Sequence, residues 1–199
     1  MKSNVCKIEK GTRDLDAILK ESEKVAEYNG LTHKQSLQLR LLCEELDGML
    51  PNIINDFDGD FWIEFEDGVC KINASVQIPV FNTDKKEELI GIAKNKKNAA
   101  AVGIVGKIRD AIENFFMNEE SASAFGPWSG TYFLANGYGE NMNYAYLWSL
   151  EQYRGTVKQE ERTEAWDELE KSVIASVADD VIVGIKGKQA DITIIKKFV

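Results

Sequence analysis

The stretch FWIEFEDGVCKINASVQIPV, residues 61–80, decides the fold. Its first apolar residues alternate with polar ones, as in a strand that buries one face: Phe61, Ile63 and Phe65. Asp67 and Gly68 then form a dipeptide that accepts the positive φ angles of a type I′ turn. Beyond this turn the alternation resumes at Ile72, Ala74, Val76 and Ile78. The stretch is therefore predicted to be a β-hairpin with one apolar face.

Further strands are predicted near the two ends of the chain. Residues 5–9 (VCKIE) alternate enough to form a short opening strand. The closing run VIVGIKGKQADITIIKKF, residues 181–198, has the pattern of a second hairpin that turns at Gly187. Two hairpins and one short strand predict a mixed, mainly antiparallel sheet.

Two amphipathic helices are predicted between the opening strand and the first hairpin. The first extends from Asp14 to Asn29 and stops before Gly30, which takes the left-handed conformation without a Cβ clash. The second follows Thr32, which stands three residues before Gln35 in the spacing of a capping box. It continues to Ile53.

Later segments are predicted to be helical at about 83–92 and 98–117, from Tyr144 through Trp148 toward Val157, and from Trp166 to Val177. Residues 119–143 mix Ser, Gly, Asn and aromatic residues without a period, which predicts an irregular aromatic-rich insertion. The whole pattern predicts a single α/β (α+β) domain over residues 1–199. Its architecture would be a two-layer sandwich with helices over one face of the sheet.

Composition excludes several classes of function. The chain carries a formal net charge of −9, whereas a protein that binds nucleic acid usually presents a basic face. No apolar run is long enough to span a membrane, and the first residues lack the apolar region of a signal peptide. The 3 cysteines are widely spaced, as in reduced thiols. We therefore expect a cytoplasmic protein without nucleic acid or membrane as partner.

No complete catalytic motif is present in the sequence. The acidic run DFDGD at 56–60 lacks the register of a calcium loop, so we interpret it as a polar turn and predict no metal site. Glu44 and Glu45 lie within RLLCEELDGML, where a carboxylate at the margin of an apolar helix face is a candidate for contact with a metal or water. Gly103 and Gly106 fall inside a predicted helix, which costs about 1 kcal/mol each relative to alanine. Close packing of another backbone, or a helix start left open for an anion, would offset that cost.

These segments, in this order, resemble the histidine-kinase-like ATPase domains, especially the small anti-sigma factors that are serine kinases. In that family the helix matching RLLCEELDGML carries a Glu-x-x-x-Asn motif, and its glutamate polarises the water that attacks ATP. VGIVGKIRD, residues 102–110, resembles the later glycine motif whose helix start receives the phosphates. The resemblance implies Glu44 or Glu45 as the catalytic base, Gly103 and Gly106 near phosphate, and ATP with magnesium as cofactors.

The sequence departs from that family at two motifs. The magnesium-binding asparagine falls on Gly48 or Met49, and neither side chain supplies the oxygen that magnesium requires. Asn52, one turn further on, is a candidate stand-in for nucleotide binding. The family's Asp-x-Gly-x-Gly box, which contacts adenine, has no counterpart after the hairpin.

Three functions stay open. The missing magnesium and adenine motifs favour a pseudoenzyme, a regulatory domain that binds a protein partner on a degenerate ATPase-type fold. The alternative is an active ATP-binding protein or serine kinase of the anti-sigma-factor type. A second alternative is a small-molecule-binding domain that uses the aromatic residues of segment 125–148, although packing in the core is the preferred explanation of these aromatics.

Overall fold

A computed structural model of the protein describes residues 1–11, 14–54, 56–77, 104–109, 112, 146–159 and 172–198. Its strands are β1 (Cys6–Glu9), β2 (Asp58–Glu66), β3 (Val69–Gln77), β4 (Tyr146–Ser149), β5 (Asp180–Lys186) and β6 (Gln189–Lys197). Its helices are α1 (Leu15–Tyr28), α2 (His33–Ile53), α3 (104–109), α4 (Leu150–Gln159) and α5 (Val173–Val177). The order of these elements matches the α+β class predicted from the sequence.

The strands form one 6-stranded sheet in the order β1-β2-β3-β6-β5-β4, and every neighbouring pair is antiparallel. Both predicted hairpins are confirmed as β2–β3 and β5–β6. At the turn of the first, Asp67 and Gly68 have φ angles of 49° and 77°, as a type I′ turn requires. At the turn of the second, Gly187 has a φ of 58°. The hairpins meet at the centre of the sheet, where Ile72 of β3 lies opposite Ile194 of β6.

One face of the sheet is apolar, because alternate residues of each long strand point to the same side. The buried residues on this face include Phe61, Ile63, Ile72, Val76, Val183, Ile192 and Ile194. Helices α1 and α2 pack against this face, and they bury Ile18, Val25, Leu39, Leu42 and Leu46 in the same core. The result is the predicted two-layer sandwich with helices over one face.

The helix predicted from Tyr144 through Trp148 toward Val157 is wrong over Tyr146–Ser149, which forms the edge strand β4. Its later part, which includes Val157, lies in α4. Trp148 lies opposite Val183 of β5 and packs against the core, so pairing with β5 overrides the helical pattern. A helix does begin directly afterwards, at Leu150. The hydroxyl of Ser149 accepts a hydrogen bond from the backbone N–H of Gln152 at 3.3 Å, which caps this helix.

Several predicted segments lie outside the described residues: Ile78, the helix at 83–92, the insertion at 119–143, and the segment around Trp166. Segments α3 and α5 are the described parts of the helices predicted at 98–117 and 166–177. Within the described ranges, no helix is long and apolar enough to cross a membrane.

Candidate functional site

Helix α2 positions the residues that the sequence singled out. It begins with the predicted capping box: the Thr32 hydroxyl accepts a hydrogen bond from the Gln35 N–H, and the Gln35 side chain accepts one from the Thr32 N–H at 2.9 Å. Pro51 lies in the last turn without ending the helix, which continues to Ile53. One side of α2 is buried, and the opposite side carries Glu44 and Asn52, one of the candidate nucleotide-binding residues.

Glu44 is half-exposed and ion-paired. Its Oε1 lies 3.1 Å from Nε of Arg40, one turn earlier on the same helix. The same guanidinium lies 3.0 Å from a carboxylate oxygen of Glu23 on α1. The ion pair between Arg40 and Glu23 thus links α2 to α1, while Glu44 binds the same guanidinium from within α2. Glu45, the other candidate base, is partly exposed and has no ion-pair partner among the residues that the structure describes.

Gly48 and Asn52 follow Glu44 at intervals of one helical turn. A Cβ placed on Gly48 would have no atom within 4 Å, so this position faces open space. The amide group of Asn52 donates a hydrogen bond to the carbonyl of Gly48 at 3.2 Å. In the part of the chain that the structure describes, no group of three His, Cys, Asp or Glu side chains could hold a metal ion. Gly48 has no side-chain oxygen to offer the magnesium ion that the family resemblance implies.

The most buried carboxylate of α2 is Asp47, which the sequence reasoning did not select. Only 4% of it is exposed. It lies four residues after Cys43 and three before Leu50, and both of these are fully buried. Helical periodicity around these apolar neighbours was the signal that could have found it.

The glycines of the predicted phosphate site are only partly described. Gly103 lies outside the described residues, and Gly106 is a buried residue of α3 between Ile104 and Ile108, both of which belong to the core. The adjacent Lys107 directs its Nζ toward the ring of Tyr153, 5.7 Å from the ring centre.

The aromatic segment 125–148 is described only from residue 146 onward. Its Trp148 packs against the core and against Tyr153 of α4, with ring centres 6.1 Å apart. The distance between the ring centres is within the usual range for an aromatic pair. Tyr146 of β4 lies opposite Ile185 of β5, and the aromatic residues that precede it in the segment lie outside the described residues.

The acidic run DFDGD and His33, the single histidine of the chain, both lie among the described residues. In the acidic run, Asp58 and Asp60 belong to strand β2, and Asp60 pairs with Lys7 of β1 at 2.7 Å. His33 is exposed in the first turn of α2. Neither feature is brought near Glu44 by a contact among the described residues.

Several buried acidic and thiol groups have shifted pKa values. Burial raises the pKa of the Cys43 thiol well above its ordinary value and raises that of Cys70 to about 12, so both are protonated thiols. Burial also raises the pKa of Asp180 at the start of β5, although hydrogen bonds from the Glu151 and Val181 N–H groups oppose the rise. Burial acts likewise on Glu21, but hydrogen bonds from Lys24 and Asn4 outweigh it and lower the pKa of Glu21.

Comparison with known proteins finds no family model, no curated protein and no solved structure that matches the chain. The site is therefore interpreted from its own geometry.

Proposed function

We propose that this chain is a regulatory protein-binding domain of the cytosol, built on a histidine-kinase-like ATPase fold whose catalytic pocket has been lost. The observation that carries the proposal is on α2. Glu44, a candidate base, is ion-paired with Arg40. The position of the family's magnesium ligand falls on Gly48 if Glu44 is the matching glutamate, and on Met49 if Glu45 is.

Phosphoryl transfer depends on positioning and on electrostatic stabilisation by a metal ion and cationic groups. A glutamate without the metal cannot supply that stabilisation, even when it could orient a water molecule. Here an oxygen of Glu44 is already bonded to a guanidinium on its own helix, and Asn52 donates to the backbone of Gly48. These contacts support a structural role for the α2 polar residues and make a binding domain the better proposal.

The first test is a calorimetric titration of the folded protein with ATP and with ADP, each in the presence and absence of magnesium. We expect no heat of binding at millimolar nucleotide. The matched variant is Gly48→Asn, which puts back the family's oxygen ligand at a position with open space for a side chain. We expect the Gly48→Asn variant to fold and still to bind neither ATP nor ADP. Magnesium-dependent binding to the natural sequence, with turnover abolished by Glu44→Gln, would establish the kinase alternative instead.

A small-molecule site beside Trp148 and Tyr153 is the second candidate. The observation that favours it is the partial exposure of both aromatic rings next to the cationic Lys107. A ligand that stacks there would quench tryptophan fluorescence, and Tyr153→Leu would abolish that quenching. An unchanged emission spectrum across a panel of anionic and aromatic metabolites would remove this candidate.

A further inference from the structure

Strand β1 is the last strand at one end of the sheet, so one of its sides pairs with β2 and the other side is open. In the part of the chain that the structure describes, no strand or bridge pairs with that open side. We define the β1 edge as the backbone N–H and C=O groups that point outward from β1 on this side. Unpaired backbone groups of this kind are a template on which another strand can pair.

Backbone hydrogen bonds show which residues near β2 direct their backbone groups toward β1. The N–H of Lys10 donates to the C=O of Phe57 at 3.2 Å, just before β2 begins. The N–H of Ser3 donates to the C=O of Ile63 at 2.8 Å, further along β2. Because backbone groups alternate in direction along a strand, the odd-numbered residues from Phe57 to Ile63 all direct theirs toward β1.

The register between the two strands then gives the direction of the groups on β1. Gly59 lies opposite Ile8, and Phe61 lies opposite Cys6. Cys6 and Ile8 therefore direct their backbone groups toward β2. By the same alternation, Lys7 and Glu9 direct theirs outward. The β1 edge thus offers one N–H and one C=O from Lys7 and the same two groups from Glu9.

A second copy of β1 can pair antiparallel with this edge in few registers, because the outward groups of both copies belong to odd-numbered residues. One register places Lys7 opposite Lys7 of the second copy, and another places Glu9 opposite Glu9. Like charges directly opposite each other destabilise a pair of strands. The register centred on Ile8 instead places Lys7 opposite Glu9 of the second copy, and Glu9 opposite its Lys7. This segment is therefore complementary to itself in one register.

The charges near the β1 edge also favour a second copy. The side chains of Lys7 and Glu9 lie on the sheet face opposite the core, because Ile8 between them is fully buried in the core. Glu9 lies opposite Asp58 of β2, and these exposed carboxylates have no ion-pair partner among the described residues. The Nζ of Lys7 lies 2.7 Å from Asp60, and its side chain remains 78% exposed. An ammonium group has three donors, so Lys7 can bind Asp60 and a carboxylate of the second copy together.

We propose that two copies of the chain associate through their β1 edges, in the register centred on Ile8, and so join their sheets into one. The contact is self-complementary about a two-fold axis, and the pair between Lys7 and Glu9 forms twice. In the dimer, Lys7 of the second copy lies beside Glu9 and offsets its repulsion from Asp58. This inference goes beyond the proposed function and does not depend on it.

Association through this edge should be weak. Strand β1 has 4 residues, so the contact is smaller than a standard interface, and the net charge of −9 on each copy opposes association. We expect a dissociation constant on the order of 0.1 mM. Sedimentation equilibrium of the full chain, at concentrations up to about 1 mM, measures this constant.

Hydrogen exchange of single amides, followed by NMR, tests whether the β1 edge is the surface used. The amides of Lys7 and Glu9 should exchange about threefold more slowly at about 1 mM than at about 0.05 mM protein, because dimerisation covers them. The amides of Cys6 and Ile8 are the internal control. They bond to β2 within one copy, so their exchange should be the same at both concentrations.

Charge reversal then tests the register. Lys7→Glu alone and Glu9→Lys alone should each raise the dissociation constant about tenfold, because both pairs across the two-fold axis become repulsive. An equal mixture of these two variants should associate again, since each contact between them joins opposite charges. The controls are Lys2→Glu, which breaks a similar exposed ion pair with Glu64, and Glu66→Lys on β2. Both controls should keep the dimer of the natural sequence, and thermal melting confirms that each variant is folded.

Recovery of association in the mixture, together with slowed exchange at Lys7 and Glu9, supports the inference. A monomer at every concentration overturns it, and the edge is then open to a strand of another protein. A dimer whose Lys7 and Glu9 amides exchange at unchanged rates overturns it in favour of another surface. A mixture that stays monomeric, when the natural sequence dimerises, overturns the register. No nucleotide is used in these experiments, so their failure leaves the proposed function standing.

Discussion

Substitution of Gly59 by alanine should destabilise the protein strongly, although it adds a single methyl group. Gly59 lies in β2 between Ile8 of β1 and Val76 of β3. A Cβ at this position would overlap the carbonyl oxygen of Ser75 and lie 2.9 Å from both Cα and Cγ1 of Val76. Most of these atoms belong to the backbone, so a change of rotamer cannot relieve the overlap. The neighbouring strands must move apart, which overpacks the surrounding core.

We expect Gly59→Ala to lower the free energy of unfolding by about 1–3 kcal/mol, the usual cost of overpacking. For a chain of this size that loss corresponds to about 2–4 °C in Tm per kcal/mol. The control is Gly48→Ala, inside α2, where the added methyl group meets no atom within 4 Å. There the helix propensity of alanine should raise the free energy of unfolding, by up to about 1 kcal/mol.

Urea denaturation followed by circular dichroism measures both variants against the natural sequence. The m-value should stay constant in each case, so that a shift in the midpoint reports stability. The midpoint should therefore fall for Gly59→Ala and rise for Gly48→Ala. Equal midpoints for Gly59→Ala and the natural sequence would refute the close spacing of β2 and β3 on which the reasoning depends.

Other predictions concern the buried titratable groups. Because the pKa of Asp180 is raised, ionisation of this residue lowers the free energy of unfolding. The free energy of unfolding, relative to that of Asp180→Asn, should therefore rise as the pH falls from neutral through that pKa. Denaturation at several pH values measures this difference, and a slope of opposite sign would contradict the prediction. Asparagine can keep the two backbone hydrogen bonds now accepted by Oδ1 of Asp180. Because the pKa of Glu21 is lowered on folding, its ionised side chain stabilises the protein at pH values above the pKa that it has in the unfolded chain. The difference in free energy of unfolding between the natural sequence and Glu21→Gln should shrink as the pH falls through the pKa of Glu21 in the folded protein. When the native protein is treated with iodoacetamide, Cys6 should be alkylated before the buried Cys43 and Cys70. Mass spectrometry of the modified peptides measures the three rates. Equal rates would show that the core opens on the timescale of labelling.

Much of the architecture could be predicted because it depends on local signals. The turn at Asp67 and Gly68 and the alternation around it specify a hairpin by themselves. Strand β4 could not be identified in this way, since a run of four residues has too few positions to distinguish a strand from a helix. Its strand conformation depends on pairing with β5, which is distant in the sequence.

The candidate site was predictable to a smaller extent. The sequence indicated that Glu44 and Asn52 lie on a helix, and the structure places them there. It could not indicate the contact between Arg40 and Glu23, because this contact depends on how α1 and α2 align. The burial of Asp47 follows from the helical period of its apolar neighbours Cys43 and Leu50, which is a local signal.

The central position of β6 in the sheet has a consequence for synthesis on the ribosome. β3 is complete at Gln77, but the strand that covers its second edge begins only at Gln189. A ribosome needs roughly 5–20 s to add the intervening stretch of about 110 residues. During this interval the hydrogen-bonding groups along that edge of β3 have no native neighbour, and an open edge can pair with other chains. The nascent chain is therefore most prone to aggregation in the middle of its synthesis, and binding of a chaperone to the β2–β3 hairpin at that stage would protect it.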